Sequence, residues 1–434
     1  VAIDHSGRAG NGFFQAIFDQ HPQVLTCPWM HYIYSYIESA FPGEATIECG
    51  KFHQFVTERG YFRYVYNDVD ERRAKEIARF GGNPAAPLDR VTVRRVFDDI
   101  LGASERISRR DAVQAMYFSY AIGVGRPLDP IRYVLVTDAI SLRSENPIEG
   151  FSGRVVDLAL ADFPEARVVQ LVRDPRAAFA STNHQYVNSA GNMYGLHWFN
   201  FGDALLHLAK GRLDWERVFV FGFLLLYFRQ AYVAVERKAA QYPRHFRRVR
   251  NEDLNLDFGN ATDGLCRWLD VAPLESWKAE GYAPTMLGLP WTGTGAYNNS
   301  YQTSRDGPLE NDPDTVARKV TGPNEYVTKR WRSRLAPNEI YLIEWALEDE
   351  CARYGYELLE LNDDNRSFGP WLRSLASPLR GELPTFGWLA KGWRLGWREL
   401  ADRLFFCLCF VPFYVGGRMQ FLRLFHRVKS AGRS

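Results

Sequence analysis

Along the first half of the chain, short apolar runs alternate with stretches of helical spacing. Residues 1–4 are apolar and break at Gly7. Residues 13–19 then set Phe13, Phe14, Ile17 and Phe18 on one side of a helix, so the chain opens with strand, glycine turn and helix. Residues 28–66 are aromatic and show no clear period, 68–80 are charged with helical spacing, 83–87 form a loop and 92–101 are helical again. A strand is predicted at 131–137, and an amphipathic helix at 153–163 that stops at Pro164. Residues 167–172, RVVQLV, form a nearly continuous apolar run, the pattern of a strand covered on both faces. It ends at Asp174-Pro175, and a helix follows from Arg176. Further on come a long apolar core helix at 218–238 and a strand at 246–250 with the turn Glu252-Asp253-Leu254. Residues 284–313, rich in Gly, Pro, Asn and Thr, predict a long loop that could serve as a lid, and 341–354 a helix. The folded body is expected to end near Leu361. Alternating strands and helices predict an α/β fold, a P-loop-like parallel sheet flanked by helices, with its ligands at the carboxyl ends of the strands.

Charge changes this picture at one end. The whole chain carries 53 Lys and Arg against 51 Asp and Glu, a net of +2, which excludes a polycation seeking nucleic acid. Residues 366–434, however, hold 12 basic and three acidic residues, leaving 41 basic and 48 acidic over residues 1–365. The expected organisation is therefore a domain at 1–365 and a basic tail at 366–434. In the tail Trp371, Trp388, Trp393 and Trp397 lie among Arg373, Arg380, Lys391, Arg394, Arg398 and Arg403, followed by Leu404-Phe405-Phe406. Apolar and aromatic positions beside cations predict amphipathic helices lying on a membrane surface; an arm packed on the body or on a second copy is the alternative. The opening residues lack the basic and long apolar stretches of a signal peptide. The longest nearly uncharged run, 404–417, is interrupted by Pro412 and falls short of the roughly 20 residues of a spanning helix. Six cysteines without framework spacing point to a reducing compartment.

Two segments carry chemistry. Ser6-Gly7-Arg8-Ala9-Gly10-Asn11-Gly12 follows a strand and opens a helix, so backbone N–H groups and the helix terminus can hold an anion. Gly7 and Gly12 have the spacing of the two glycines of a nucleotide P-loop. Phe13-Phe14 stands where that loop continues with Lys-Ser/Thr, which argues against an ATPase or GTPase. The second segment, FPEARVVQLVRDPR (163–176), ends a buried strand in Arg173 and reaches Ser181 within the next helix. Arginine and serine there suit one phosphate.

Together, SGRAGNGFFQAIFDQHP and FPEARVVQLVRDPRAAFAS resemble the sulfotransferases that use 3′-phosphoadenosine 5′-phosphosulfate (PAPS), nearest the Golgi-type and bacterial branches acting on glycans or tyrosines. FRRVRNEDL (246–254) resembles that family's later strand. Lys329-Arg330-Trp331-Arg332, with the helix to Tyr354-Gly355-Tyr356, resembles its closing segment, so the likeness spans roughly residues 1–360. The resemblance implies sulfuryl transfer from PAPS, leaving PAP, with no metal. Gly7, Arg8, Ala9, Gly10, Asn11, Gly12 and Phe13 would form the 5′ loop, Arg173 and Ser181 the 3′-phosphate site, and Lys329 and Arg330 the closing segment. Asn11 and Gly12 depart from the family's hydroxyl residue after the second glycine. The long interval between Arg8 and Arg173 implies inserted material for the acceptor.

Arg8 is the expected electrostatic clamp on the bridging oxygen, and His31 the expected general base, with Glu38 and His184 in reserve. A competing reading takes Cys27, His31, Cys49 and His53 as zinc ligands, which would exclude His31 as the base. The expected acceptor is a hydroxyl of a glycan, glycolipid, lipopolysaccharide precursor or other membrane-held molecule. The expected location is peripheral, on the cytoplasmic face of a membrane, the bacterial inner membrane above all. The rivals are a P-loop phosphotransferase and a membrane-associated protein that binds PAP without transfer.

Overall fold

The structure, a computed structural model, describes residues 2–4, 9–58, 62–68, 87–138, 154–190, 220–291, 303–304, 307–308, 322–379, 384–405, 408, 415, 418–419 and 421–422. The chain divides into two units. The first comprises Val1–Arg173, Val233–Tyr301 and Pro313–Glu325, and the second Asp174–Tyr232, Gln302–Asp312 and Tyr326–Ser434.

The first unit is built on five parallel strands, β1 (Ala2–Asp4), β2 (Val24–His31), β3 (Tyr133–Thr137), β4 (Arg167–Val172) and β5 (Phe246–Arg250), in the order β2-β3-β1-β4-β5. The alternation of a strand assigns its residues to two cores. Val168, Val136 and Leu25 face a core covered by the helices Ile33–Ala40, Cys49–Glu58, Arg90–Gly102, Arg109–Gly123 and Arg154–Asp162. Val169, Leu171, Leu135 and Val24 face the other, covered by α1 (Asn11–Phe18) and the helix Phe258–Leu269. This is the parallel sheet with helices on both faces that the alternation predicts. Gln170 is the polar exception in β4. Its amide donates to Glu236 at 2.7 Å and its carbonyl accepts from Arg248 at 3.2 Å, so the buried group is satisfied.

Several expectations change. The aromatic stretch 28–66 contains the end of β2, whose Pro28 disguises it. β2 is an edge strand with a register shift between Thr26 and His31, where proline is tolerated. Helices and an antiparallel ribbon (Thr46–Glu48 with Arg106–Ser108) follow. Their rings Phe52, Phe55, Phe62, Tyr66 and Phe97 join the sheet's own core, so this inserted material is integral to the first unit. The charged stretch predicted at 68–80 and the loop at 83–87 lie almost wholly outside the described residues. The long loop from 284 begins instead as a tight ribbon, Thr285–Met286 with Leu289–Pro290. Asp19 holds it by accepting from the Thr285 hydroxyl at 2.7 Å and the Gly288 amide at 2.8 Å. Most of residues 292–313 lie outside the described residues.

Among its described residues the second unit is mostly helical, and the buried Arg176 ties several of its segments together. Asp174 precedes the helix Pro175–Ala190 and accepts from the Arg176 amide at 2.9 Å, and its carboxylate takes the Arg176 guanidinium bidentately at 2.9 and 2.8 Å. Arg176 also donates to Glu344 at 2.5 Å and to the Glu357 carbonyl at 2.8 Å, over the Trp331 ring at 4.5 Å. Glu344 accepts in addition from the amides of Leu359, Glu360 and Leu361, each at 2.9 Å. Burial alone would lower the Arg176 pKa, but its two carboxylates hold it above the ordinary arginine value. The helix predicted at 341–354 is two helices, Pro337–Ala346 and Glu348–Arg353, because the chain bends at Leu347. Packing also continues past Leu361. The helix Phe368–Ala376 buries Trp371, whose ring lies 5.3 Å from Trp345 and 5.9 Å from Phe421. Trp371 is thus a core residue of this unit and not part of an interfacial face.

Candidate functional site

In the first unit β1 and β4 are neighbours, and their outgoing connections diverge. The chain leaving β1 goes to β2 on one side, and the chain leaving β4 goes to β5 on the other. Ligands of parallel sheets bind in the crevice outside the carboxyl ends of two such strands. α1 is the next described element after β1, and Arg173 follows β4 directly.

Of the predicted 5′ loop, Ser6, Gly7 and Arg8 lie outside the described residues. Ala9 is buried. Gly10 stands before α1 with φ +108°, in the left-handed region that favours glycine. A Cβ there would come within 2.1 Å of the Asn251 side-chain nitrogen. The Gly10 carbonyl accepts from the Phe14 amide at 2.9 Å, closing the first turn. The amides of Asn11, Gly12 and Phe13 therefore precede any carbonyl of the same helix that they could bond, the arrangement an anion requires. The side chain of Phe13 points elsewhere. It is buried, with its ring 5.5 Å from Trp291. At this position only the backbone is available to a ligand, and the lysine of a P-loop has no counterpart.

Asn251, which no sequence motif singles out, lies against Gly10. It opens the helix Asn251–Leu256 directly after β5 and is buried against Gly10. The Asn255 amide group bonds its carbonyl at 2.7 Å and its side chain at 3.3 Å, and Asn255 accepts from the Asn324 amide at 3.1 Å. The signal that could have found it is the RNED turn of the FRRVRNEDL segment. Gln15, equally silent in the sequence, is buried on α1 and donates to the Thr137 hydroxyl at the end of β3.

Arg173 is buried at the end of β4. Ser181, buried in the helix Pro175–Ala190, belongs to the second unit, as do Lys329, at the end of the helix Glu325–Lys329 and exposed, and half-buried Arg330.

His31 ends β2, its backbone paired with Thr137 of β3; its side chain lies outside the described residues. The chain then turns at Tyr32, with φ +58°, into the helix Ile33–Ala40. Asp138, buried just past β3, caps that helix: it accepts from the amides of Tyr34 at 2.6 Å and Ser35 at 3.2 Å and from the Ser35 hydroxyl. The pKa of the half-buried Tyr36 phenol is pushed up by burial and then by the Asp138 charge. Glu38 on the same helix is ion-paired with Arg154 at 2.7 Å. The side chain of His184 lies outside the described residues.

The zinc set is not gathered by what is described. Cys27 and Cys49 are buried among apolar groups, and His53 lies in a helix with its Nε2 3.1 Å from Asp98 and its ring on Phe97. Among the described residues no three His, Cys, Asp or Glu side chains form a metal cluster.

No family model matches the chain, and no curated protein matches it in sequence. Among solved structures it is similar to the "Sulfotransferase Domain from the Curacin Biosynthetic Pathway", at 13% identity and TM-score 0.43, over 82% of this chain and 98% of that one. It is also similar to the "Sulfotransferase Domain from the Synechococcus PCC 7002 Olefin Synthase", at 14% identity and TM-score 0.43, over 82% of this chain and 94% of that one.

Proposed function

We propose that the chain is a sulfotransferase that moves a sulfuryl group from PAPS to a hydroxyl of a glycan, glycolipid or other membrane-held acceptor. One observation carries this reading: β1 and β4 are the adjacent strands where the sheet's connections diverge, with Gly10 and the first amides of α1 among the residues next described after β1 and Arg173 directly after β4. The amides of Asn11, Gly12 and Phe13 hold the 5′-phosphosulfate, and Arg173 reads the 3′-phosphate. The acceptor oxygen attacks sulfur in line while the bond from sulfur to the bridging phosphate oxygen breaks, and PAP leaves with that electron pair. Arg8 stabilises the charge growing on the bridging oxygen, and His31 takes the hydroxyl proton. The apolar Phe13 at the P-loop lysine position disfavours phosphotransfer from ATP.

Calorimetric titration with PAP, beside ADP and ATP with Mg²⁺, tests the site. The expected result is binding in the micromolar range with at least about tenfold preference for PAP over ADP. No PAP binding, or a preference for ATP, overturns the reading. In a transfer assay with glycan acceptors, His31→Ala should cut the rate by about 10²–10⁴ and leave PAP affinity unchanged. An unaltered rate removes His31 from the base role.

A further inference from the structure

The second unit carries a surface that the transfer reading does not use. Residues 384–395 form one helix and 397–405 are helical again, with Gly396 between them at φ +118°. The two segments are pinned together. A Cβ on Gly392 would come within 2.6 Å of the Arg403 side chain, and Arg403 is itself buried and bonded to Glu399 at 3.0 Å. The result is a helical hairpin with Arg403 turned inward. Among its described side chains several large apolar ones are turned outward: Trp393 is 71% exposed, Trp397 72%, Phe405 69% and Leu408 71%, with Leu395 and Leu404 beside them. A soluble surface rarely gathers so many large apolar side chains in so short a segment unless something covers them. Lys391, Arg394 and Arg398 are exposed among them, and the Arg398 guanidinium lies 5.5 Å from the Trp397 ring centre. Tryptophan beside cations is the composition of a polar–apolar boundary bearing negative charge. Among the described residues no helix is long and apolar enough to cross a membrane.

We infer that this hairpin is a docking surface for an anionic lipid bilayer, lying in the headgroup region with Trp393, Trp397 and Phe405 inserted and Lys391, Arg394 and Arg398 on the lipid phosphates. The occupant follows from charge complementarity, because residues 366–434 carry 12 basic and three acidic residues. A second copy of so basic a segment would meet like charge. The inference is independent of the transfer chemistry, since none of these residues belongs to the proposed PAPS site.

The test is cosedimentation of the full chain with vesicles of phosphatidylcholine plus phosphatidylglycerol, beside vesicles of phosphatidylcholine alone. Binding is expected to the anionic vesicles and to weaken with salt. The triple variant K391A/R394A/R398A should lose roughly a hundredfold in affinity. W393A/W397A should lose about tenfold or more. These positions are exposed, so the variants should melt as the parent does, which thermal denaturation checks. Absence of binding to anionic vesicles, or binding undiminished in both variants, overturns the proposal. So does a dimer of the parent, seen by light scattering, that W393A/W397A dissolves while vesicle binding is nil. PAP titration of the same variants keeps the two proposals apart, because affinity for PAP should not move.

Discussion

At Gly10 a methyl group has nowhere to go. The backbone is left-handed there, and an added Cβ would stand 2.1 Å from the Asn251 side-chain nitrogen. Gly10→Ala therefore costs both conformational strain and a displaced Asn251, about 2–4 kcal/mol together, read as a lowered denaturation midpoint. Because the two residues touch, Gly10→Ala combined with Asn251→Ala should destabilise by less than the sum of the single changes, by at least about 0.5 kcal/mol. Strict additivity would mean that Asn251 does not support the loop. Arg173 differs in kind, since its predicted work is done on a ligand. Loss of a charge-assisted phosphate contact of about 1.5–3 kcal/mol weakens PAP binding from several-fold to a hundredfold and more, so Arg173→Ala should show that loss by calorimetry. Affinity equal to the parent's would take Arg173 out of the site.

At the scale of elements, β4 and β5 fall on the residues where strands are predicted, 167–172 and 246–250. β4 is legible because a strand covered on two faces reads as a nearly unbroken apolar run, whereas β5, an edge strand of sequence FRRVR, carries no such run. β2 was not legible, because a proline and an edge position break that signal, and the helix break at Leu347 has no glycine or proline to announce it. The glycine loop and Arg173 were visible as local motifs. Asn251 and Asp138 were not, since their roles come from contacts across 241 and 103 positions of sequence, with Gly10 and Ser35. His21 is a similar long-range contact, joining the turn after α1 to Ala272. Its Nε2 bonds the Ala272 carbonyl at 2.8 Å while its Nδ1 accepts from the Gln23 amide at 3.1 Å, a pattern that needs the neutral ring. Burial, the largest influence, lowers its pKa below the ordinary 6.5; the Ala272 bond raises it by less, and Arg126 lowers it further. On acidification the unfolded chain therefore takes up this proton first. Stability contributed by the neutral ring is intact above the ordinary pKa, falls from about pH 6.5 downward, and stops falling below the folded pKa. Chemical denaturation at neutral and at mildly acid pH should show this loss, and His21→Gln should flatten it; an unchanged slope in that variant would assign the acid sensitivity to other groups.

At the scale of the whole molecule, charge and packing draw different boundaries. Charge places one near residue 365, where an acidic body meets a basic segment. Packing places that same segment inside the second unit. Trp371, Leu375, Leu379 and Phe421 are buried there, Asn338 donates to the Pro378 carbonyl at 3.1 Å, and Arg418 donates to the Leu375 carbonyl at 2.9 Å. A chain cut after residue 365 would uncover Trp345 and the outer face of the helix Pro337–Ala346, the helix whose Glu344 holds Arg176. The truncated chain should therefore melt well below the full chain or fail to stay soluble. Trp371→Ala, which leaves every basic residue in place, should lose about 3–5 kcal/mol by the same route while keeping its affinity for anionic vesicles. A truncated chain that melts with the parent, together with a harmless Trp371→Ala, would show that residues 366–434 hang from the unit as a detachable tail. The opposite pair of results would make the basic segment structural along its inner side, leaving only the hairpin around Gly396 to meet a surface.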